Sequence, residues 1–437
     1  MKAMSLRKAL TAFGLCILPA LPGACSPGGG PSRAPTPTRP QAPPTPTAAA
    51  EPDKPPLPSA PQPALLTNPT LLTDKELADG WISLFDGQTL YGWEPQSDAK
   101  WRVEGGTIVA DGGAPGLLLT TSQFSDYELQ LQFRSAPGAN SGVFLHTLGE
   151  PLDPARDCYE LNIAPAHNPF PTGSLVQRQK ASGNFDSADW QTYEATVAGG
   201  QVVVQINGQE TLRHQDPAPL GRGRIGLQYR EGKVEFRQIK LKPWNLADLC
   251  NGKDLTGWKT YPEMDSVFSV SPDGLLNVKG GSGQLETEAQ YGDFVLQLEC
   301  MTRAANLNSG VFYRCLPGER MNGYEIQIHN GFGDGDRTKP HDCGTGGIFR
   351  RQNARLVAAD DLAWFHLTVA ADGPHVAAWV NGLQVSDWTD QRPPDENPRK
   401  GLRLKPGTIM LQGHDPTTDI AFRNLRAAEM AQRSPRP

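Results

Sequence analysis

The sequence predicts an all-β protein made of two tandem sandwiches, and three observations predict it. Most of the chain after residue 80 consists of short runs in which apolar and polar side chains alternate. These runs are punctuated by Gly, Asn-Gly and Asp-Gly, the turn chemistry of antiparallel sheets. No long amphipathic helix appears anywhere. The third observation is an internal repeat: LFDGQTLYGW (84–93) returns as LCNGKDLTGW (249–258), NSGVFLH (140–146) as NSGVFYR (308–314), and CYELNI (158–163) as GYEIQI (323–328). QINGQE and the segment ending in EFRQI then return as WVNGLQ and a segment ending in AFRNL, at offsets of about 165 to 185 residues. Each copy is long enough to close its own core, so the repeat describes two domains and not a solenoid.

Taken in order, the chain opens with Lys2, Arg7 and Lys8, an apolar run from about Ala9 to Leu21, and the small residues Gly23 and Ala24 before Cys25. The apolar run is too short to span a bilayer and has the form of a secretory signal. Its ending resembles a lipoprotein box in which Cys25 is lipidated. Pro22 stands where Leu is usual, so free secretion is the alternative. Residues 27–63 hold 14 of the chain's 40 prolines and almost no large apolar side chain. Such a segment cannot offset its ordering entropy and reads as an extended spacer. The predicted organisation is thus a signal (1–25), a Pro-rich linker (26–70), a first sandwich (71–244) and a second (245–430). A net charge of -6 and the lack of a basic stripe with interleaved aromatics argue against a nucleic-acid partner.

Within the copies, a short helix is expected from Asp74 to about Ala78, capped by Thr73 and ended by Gly80. Asn207-Gly208 and Asn381-Gly382 read as type I′ hairpin turns. Trp93 and Trp258 read as core residues, as do Phe236 and Phe422, with Arg237 and Arg423 facing outward. Five cysteines follow the signal. In an exported protein Cys315 and Cys343 are the pair best placed for a disulfide, and Cys158 reads as a buried small hydrophobe.

The most informative stretch is Asn308 to Asn330. In YEIQIH, alternation puts Tyr324, Ile326 and Ile328 on a core face and Glu325, Gln327 and His329 on the other, spaced about 7 Å apart. In NSGVFYR it sends Val311 and Tyr313 one way and Gly310, Phe312 and Arg314 the other. A hairpin would therefore bring Arg314 near Glu325. Alone, such a pair is an ordinary surface ion pair contributing under ~1 kcal/mol. Its recurrence in a duplicated domain is what marks it.

These motifs, followed in the second copy by GTGGIF, WVNG, IMLQGHD and FRNL, resemble the bacterial 3-keto-disaccharide hydrolase domain over nearly all of residues 80–430. The resemblance implies a concanavalin A-like jelly roll with a concave groove, and cleavage of glycosides already oxidised to a ketone at carbon 3. That ketone acidifies the hydrogen on carbon 2, so a base can remove it, the enolate can expel the oxygen on carbon 1, and water can add afterwards. Glu325, His329 and His414 are the candidate bases. Arg314 and Gln412 are candidate holders of the ketone oxygen, with Gln327 and Asn308 as further substrate contacts. A divalent metal is the alternative electrophile, and Asp334, Asp336, His341 and Asp342 in the loop GFGDGDRTKPHD are its candidate ligands; a turn-rich cleft wall is the other reading of that loop. The first copy keeps Glu160 but has His146 for Arg314, Asn162 for Gln327, Ala164 for His329 and Tyr229-Arg230 for Gly413-His414. Activity is therefore expected in the second copy. A cell-surface protein that binds an oligosaccharide without cleaving it is the alternative function.

The leader gives a first testable outcome. Cys25→Ser is expected to move the protein from the membrane fraction to the soluble one, and unchanged fractionation would rule out the lipid anchor.

Overall fold

The structure, a computed structural model, describes residues 72–185 and 187–433. The signal, Cys25 and the Pro-rich segment lie outside the described residues. In the first half, helix α1 (Asp74–Ala78) precedes β1 (Ile82–Ser83), β2 (Trp93–Pro95), β3 (Arg102–Glu104), β4 (Thr107–Ala110), β5 (Gly116–Thr120), β6 (Tyr127–Ser135) and β7 (Asn140–Thr147). After α2 (Pro154–Asp157) come β8 (Tyr159–Ile163), β9 (Gln191–Ala198), β10 (Gln201–Ile206), β11 (Gln209–Gln215), β12 (Arg224–Glu231) and β13 (Val234–Pro243). The second half repeats them as β14 (Ala247–Asp248), β15 (Trp258–Lys259), β16 (Val267–Val270), β17 (Leu276–Lys279), β18 (Gly283–Thr287), β19 (Phe294–Thr302) and β20 (Ser309–Cys315). It ends with β21 (Tyr324–Ile328), β22 (Phe365–Asp372), β23 (His375–Val380), β24 (Leu383–Thr389), β25 (Thr408–Gly413) and β26 (Asp419–Glu429).

Each half stacks a larger antiparallel sheet on a five-stranded one. The small sheets run β2-β5-β12-β7-β8 and β15-β18-β25-β20-β21, and the large ones β11-β10-β9-β6-β13-β4-β3 and β24-β23-β22-β19-β26-β17-β16, with β1 and β14 added to β13 and β26. The protein is thus two tandem concanavalin A-like jelly-roll sandwiches with one topology used twice.

The repeated motifs have local physical causes. In the first, Asp86 or Asn251 accepts backbone N–H groups two and three residues on, closing a turn. The indole that follows is buried and donates back across that turn: Trp93 Nε1 to the Leu84 carbonyl at 2.6 Å, Trp258 Nε1 to the Leu249 carbonyl at 2.7 Å. Asn207 and Asn381 adopt positive φ before glycines that do the same, and each side chain accepts the N–H of the neighbouring strand, from Thr192 and His366. Thr73 caps α1 in a capping box with Glu76.

Alternation is clean in the first half, where β6 and β9 bury every second residue. In the second half the corresponding strands β19 and β22 are nearly all buried, and β23, the counterpart of β10, is buried entirely. The reason is that the outer face of this sheet packs on the first half. In β23, Val376, Ala378 and Val380 belong to the second core, whereas Ala377 and Trp379 join the first half's core together with Val295, Ala370 and Met430. Trp379 Nε1 donates to the Ser83 carbonyl at 3.0 Å, and Gln297 Nε2 to the Gly80 carbonyl at 2.7 Å. The two sandwiches share one continuous apolar seam.

The expected Cys315–Cys343 disulfide is absent, because the two thiols serve different packing sites. Cys315 is buried against Phe312 and Met410, while Cys343 Sγ points at the carbonyls of Ile348 and Gln352; all five cysteines among the described residues are free thiols. Cys158 is buried against Leu117, Leu119 and Phe144.

Polar contacts close the seam at one end. Asp372 accepts from the backbone and side chain of Gln123 across the halves, and His375 lies between Asp372 and Asp387. The His375 Nε2–Asp387 contact is 2.5 Å; Nδ1 is 3.4 Å from Asp372, close enough for charge attraction without hydrogen-bond geometry. Burial opposes charging this ring, but the two carboxylates prevail and hold its pKa up at about 9. Its stabilisation is therefore fully present below the ordinary His pKa and lost as pH rises through about 9. His375→Gln is expected to lower the melting temperature at pH 7 and to flatten its decline between pH 8 and 10; a mutant with the wild-type slope would contradict this.

Candidate active site

The candidate site lies on the outward face of β18, β25, β20 and β21. Register sets Gln284 opposite Gln412, Glu286 opposite Met410, Phe312 opposite both Met410 and Glu325, and Gly310 opposite Gln327. One end of this face is closed. The loop after β20 is pinned over it: Glu286 accepts from Thr408 Oγ1 at 2.6 Å, from the Gly318 N–H at 3.2 Å and from the Tyr261 hydroxyl, while Gln284 accepts the Met321 N–H at 2.6 Å. Gln412 lies beneath this loop, its Nε2 3.2 Å from Met321 Sδ and its Oε1 buried without a partner among the described residues.

The open part of the groove runs along β21. Glu325 lies at its centre, across Gly310, where an added Cβ would come within 2.7 Å of Oε1. Gly310 is what lets this side chain lie flat on the sheet. Glu325 is only 7% exposed, and its carboxyl group accepts no hydrogen bond from another described residue. Burial, aided by the negative charge of Asp342 and opposed by Arg399 and Arg350, pushes its pKa up to about 7. On one side of it, Gln327 donates to Asn308 at 3.0 Å, and Asn308 donates to Asp342. His329 stands at this end with its ring 6.2 Å from that of His341, and burial lowers its pKa. On the other side, Glu325 borders a pocket lined by Tyr324, Phe349, Arg350, Arg351 and Arg399.

Glu325, Gln327, Asn308 and His329 therefore share one groove, with Gln412 at its covered end. Two candidates lie elsewhere. Arg314 does not approach Glu325: the register shifts between Phe312 and Cys315, and Arg314 takes positive φ, which turns its side chain out of the groove. The guanidinium is buried, pairs with Asp293 at 2.8 Å and donates to the carbonyls of Gly292, Gly373 and Arg403. Asp293 also pairs with Arg222 of the first half, so Arg314 belongs to the seam. His146 occupies the same kink in the first half, also at positive φ, packed between Tyr127 and Tyr159. His414 lies just past the end of β25, with its Nδ1 2.8 Å from Asp415 in its own loop.

The loop residues proposed as metal ligands do not fit a metal. Asp334 pairs with Lys339, Asp336 accepts from Thr338, and Asp342 is bound to Asn308 and Gln327. No three His, Cys, Asp or Glu side chains among the described residues come together as a ligand set.

The first half departs from this arrangement. Its floor has Leu117 and Leu119 at the places of Gln284 and Glu286, and both are fully buried. Two segments are also shorter. The bond from the Ala164 N–H to Thr172 closes a loop that its equivalent, His329 to Thr345, closes only sixteen residues on instead of eight. From Asp216, which accepts the Tyr159 hydroxyl, to the bridged Gly223 is seven residues; from Asp390, which accepts the Tyr324 hydroxyl, to the bridged Gly407 is seventeen. These two insertions supply Asp342 and Arg399, on opposite sides of Glu325. Sequence reasoning missed Arg399 and Arg350. The growth of the repeat offset from 165 residues to 186 was the signal that the second copy had gained walls.

The family's sequence profile, described as a 3-keto-alpha-glucoside-1,2-lyase-like domain, matches residues 80–242 and 245–428. The chain belongs to the 3-keto-alpha-glucoside-1,2-lyase-like family. A relative in Bacteroides thetaiotaomicron named 3-keto-disaccharide hydrolase is 25% identical over 233 residues, covering 38% of this chain and 79% of that protein. A structure from Parabacteroides distasonis, provisionally described as a glycosyl hydrolase, is 18% identical with a TM-score of 0.37 over 40% of this chain and 99% of its own. A carbohydrate-binding module from Bacillus subtilis is 15% identical with a TM-score of 0.29, over 40% of this chain and 96% of its own. Within this family's two copies here, the glutamate is kept in both, and Glu160 is likewise pushed up to about 7 by burial, Arg230 opposing.

A carboxyl group with a raised pKa stabilises the fold while protonated, and that contribution is lost as pH rises through about 7. Glu325→Gln is expected to match wild-type stability near pH 4 and to exceed it at pH 8 by about 2–3 kcal/mol, measured by urea denaturation. A variant less stable than wild type at pH 8 would show that the carboxylate is held by partners.

Proposed function

We propose that the second half cleaves 3-keto-glycosides, with Glu325 as the base that removes the proton from carbon 2. The observation that carries this reading is the state of Glu325: buried, unbonded and with a pKa near neutrality, it is a stronger base than an exposed carboxylate yet half ionised at pH 7. The sugar ring lies over Gln327, Asn308 and Asp342, whose amide and carboxylate groups match hydroxyls. Arg399, the cation that most lowers the pKa of Glu325, offsets the charge of the enolate, the part first expected of Arg314.

The electron count closes without a further reactant. The C2–H bond breaks, its proton goes to Glu325, and its electrons make the enolate. The enolate then reforms the ketone, a double bond forms between carbons 1 and 2, and the C1–O bond breaks, the leaving oxygen taking a proton from solvent. Water adds its oxygen to carbon 1, Glu325 returns its proton to carbon 2, and the water's remaining proton goes to solvent. The first half, with its apolar floor and without the two walls, is a scaffold in this reading. The protein acts outside the cytoplasm, held by a lipid on Cys25.

The test is turnover of a 3-keto-glucoside by the full chain. Glu325→Gln should lower kcat by about 10²–10⁴-fold with the fold intact. Glu160→Gln should leave it nearly unchanged. kcat/KM should rise with pH and level off above about 7. Equal losses from the two substitutions, or a rate flat from pH 5 to 8, would overturn the reading; sugar binding without any turnover would favour a glycan-binding protein.

A further inference from the structure

We infer that the pocket beside Glu325 receives an aglycone bearing an anionic oxygen group, a carboxylate or a sulfate. The inference rests on the reading of this groove as a glycoside site and assigns its second half. If the sugar ring lies over Gln327 and Asn308, and Glu325 beneath carbon 2, the leaving group extends along β21 toward Tyr324, into that pocket. Three guanidiniums line that pocket: Arg350, Arg351 and Arg399. None of them pairs with a carboxylate among the described residues. Arg351 donates only to the carbonyls of Arg350 and Arg399, and Arg399 donates to the Met321 carbonyl. Arg350 lies 5.1 Å from the ring of Phe349, which offers an apolar wall to an aryl or alkyl group. Arg392 is close by, but Asp390 neutralises it at 2.7 Å. The only carboxyl group lining the pocket is Glu325, which is to be protonated during the reaction.

A concentration of positive charge of this kind is unfavourable in the free protein and becomes favourable when an anion enters. The first half lacks it. Gln177 stands at the position of Arg350, with the same positive φ, as the matching bridges of Leu175 with Gln179 and of Ile348 with Gln352 show. Arg178, at the position of Arg351, is neutralised by Asp216 at 3.2 Å, and the insertion carrying Arg399 is missing. The uncompensated charge is therefore particular to the copy that carries the other groove residues.

Unoxidised aryl glucosides separate binding from chemistry, because they lack the ketone and cannot react by this route. The full chain should bind 4-carboxyphenyl and 4-(sulfooxy)phenyl glucoside roughly tenfold or more tighter than 4-carbamoylphenyl glucoside, as charge-assisted hydrogen bonds allow, and the preference should shrink with added salt. The double variant Arg350→Gln, Arg351→Gln, which keeps Arg399, should lose most of that preference. Both side chains are exposed, and the first half already carries Gln at the positive-φ position, so the fold should hold, as circular dichroism would check. Which of the two anions binds tighter tells carboxylate from sulfate. Equal affinity for acid and amide, a preference undiminished in the double variant, or binding of none of the three would overturn the inference. A preference without turnover of the 3-keto forms would count against the chemistry alone, and turnover without a preference against the anionic aglycone alone.

Discussion

The groove of the second half depends on keeping a carboxyl group out of water without giving it a hydrogen bond. A buried carboxylate usually recruits N–H groups that hold its pKa down. Glu286, on the same sheet but with two strands between it and Glu325, accepts hydrogen bonds from a threonine, a tyrosine and a backbone N–H. Glu325 sits across a glycine that has no side chain to offer, and its nearest charges act at a distance. Two carboxyl groups on one face are thus placed differently: one fixes a loop, and the other accepts no hydrogen bond from another described residue.

The same distinction orders the comparison between the halves. Glu160 has the same raised pKa as Glu325, so a perturbed carboxyl group alone does not separate the copies. What separates them is the surroundings. The second half adds eight residues on one side of its glutamate and ten on the other, and its polar floor anchors a loop, where the first half has leucines. The duplicated sheet is a common chassis, and the insertions are where the two have become different proteins.

Alternation made the sandwich architecture and the placement of Glu325 and Gln327 legible in the sequence, because period-two patterning survives wherever one face is polar. It failed at Arg314, since a single residue at positive φ reverses the direction of every side chain beyond it and leaves no mark in the residue types themselves. It also gave no hint that β23 would be buried on both faces, although its run of small residues, Ala377 and Ala378 beside Trp379, is what a second packing surface needs. The cysteine pairing was inferred from compartment and proximity in sequence. The thiols of Cys315 and Cys343 instead fill separate apolar and carbonyl-lined niches, a matter of side-chain direction that spacing does not encode.

The seam through Trp379 has a consequence for how the duplicated gene could change. With Ala377, Ala370 and Val295 in the first half's core, removing that half would uncover an apolar sheet face and strand a tryptophan N–H. Selection can therefore relax on every ligand-facing residue of the first copy and still preserve its folding. A domain kept in this way is an internal chaperone for its neighbour, and its sequence should drift in the groove while remaining constrained along the buried face.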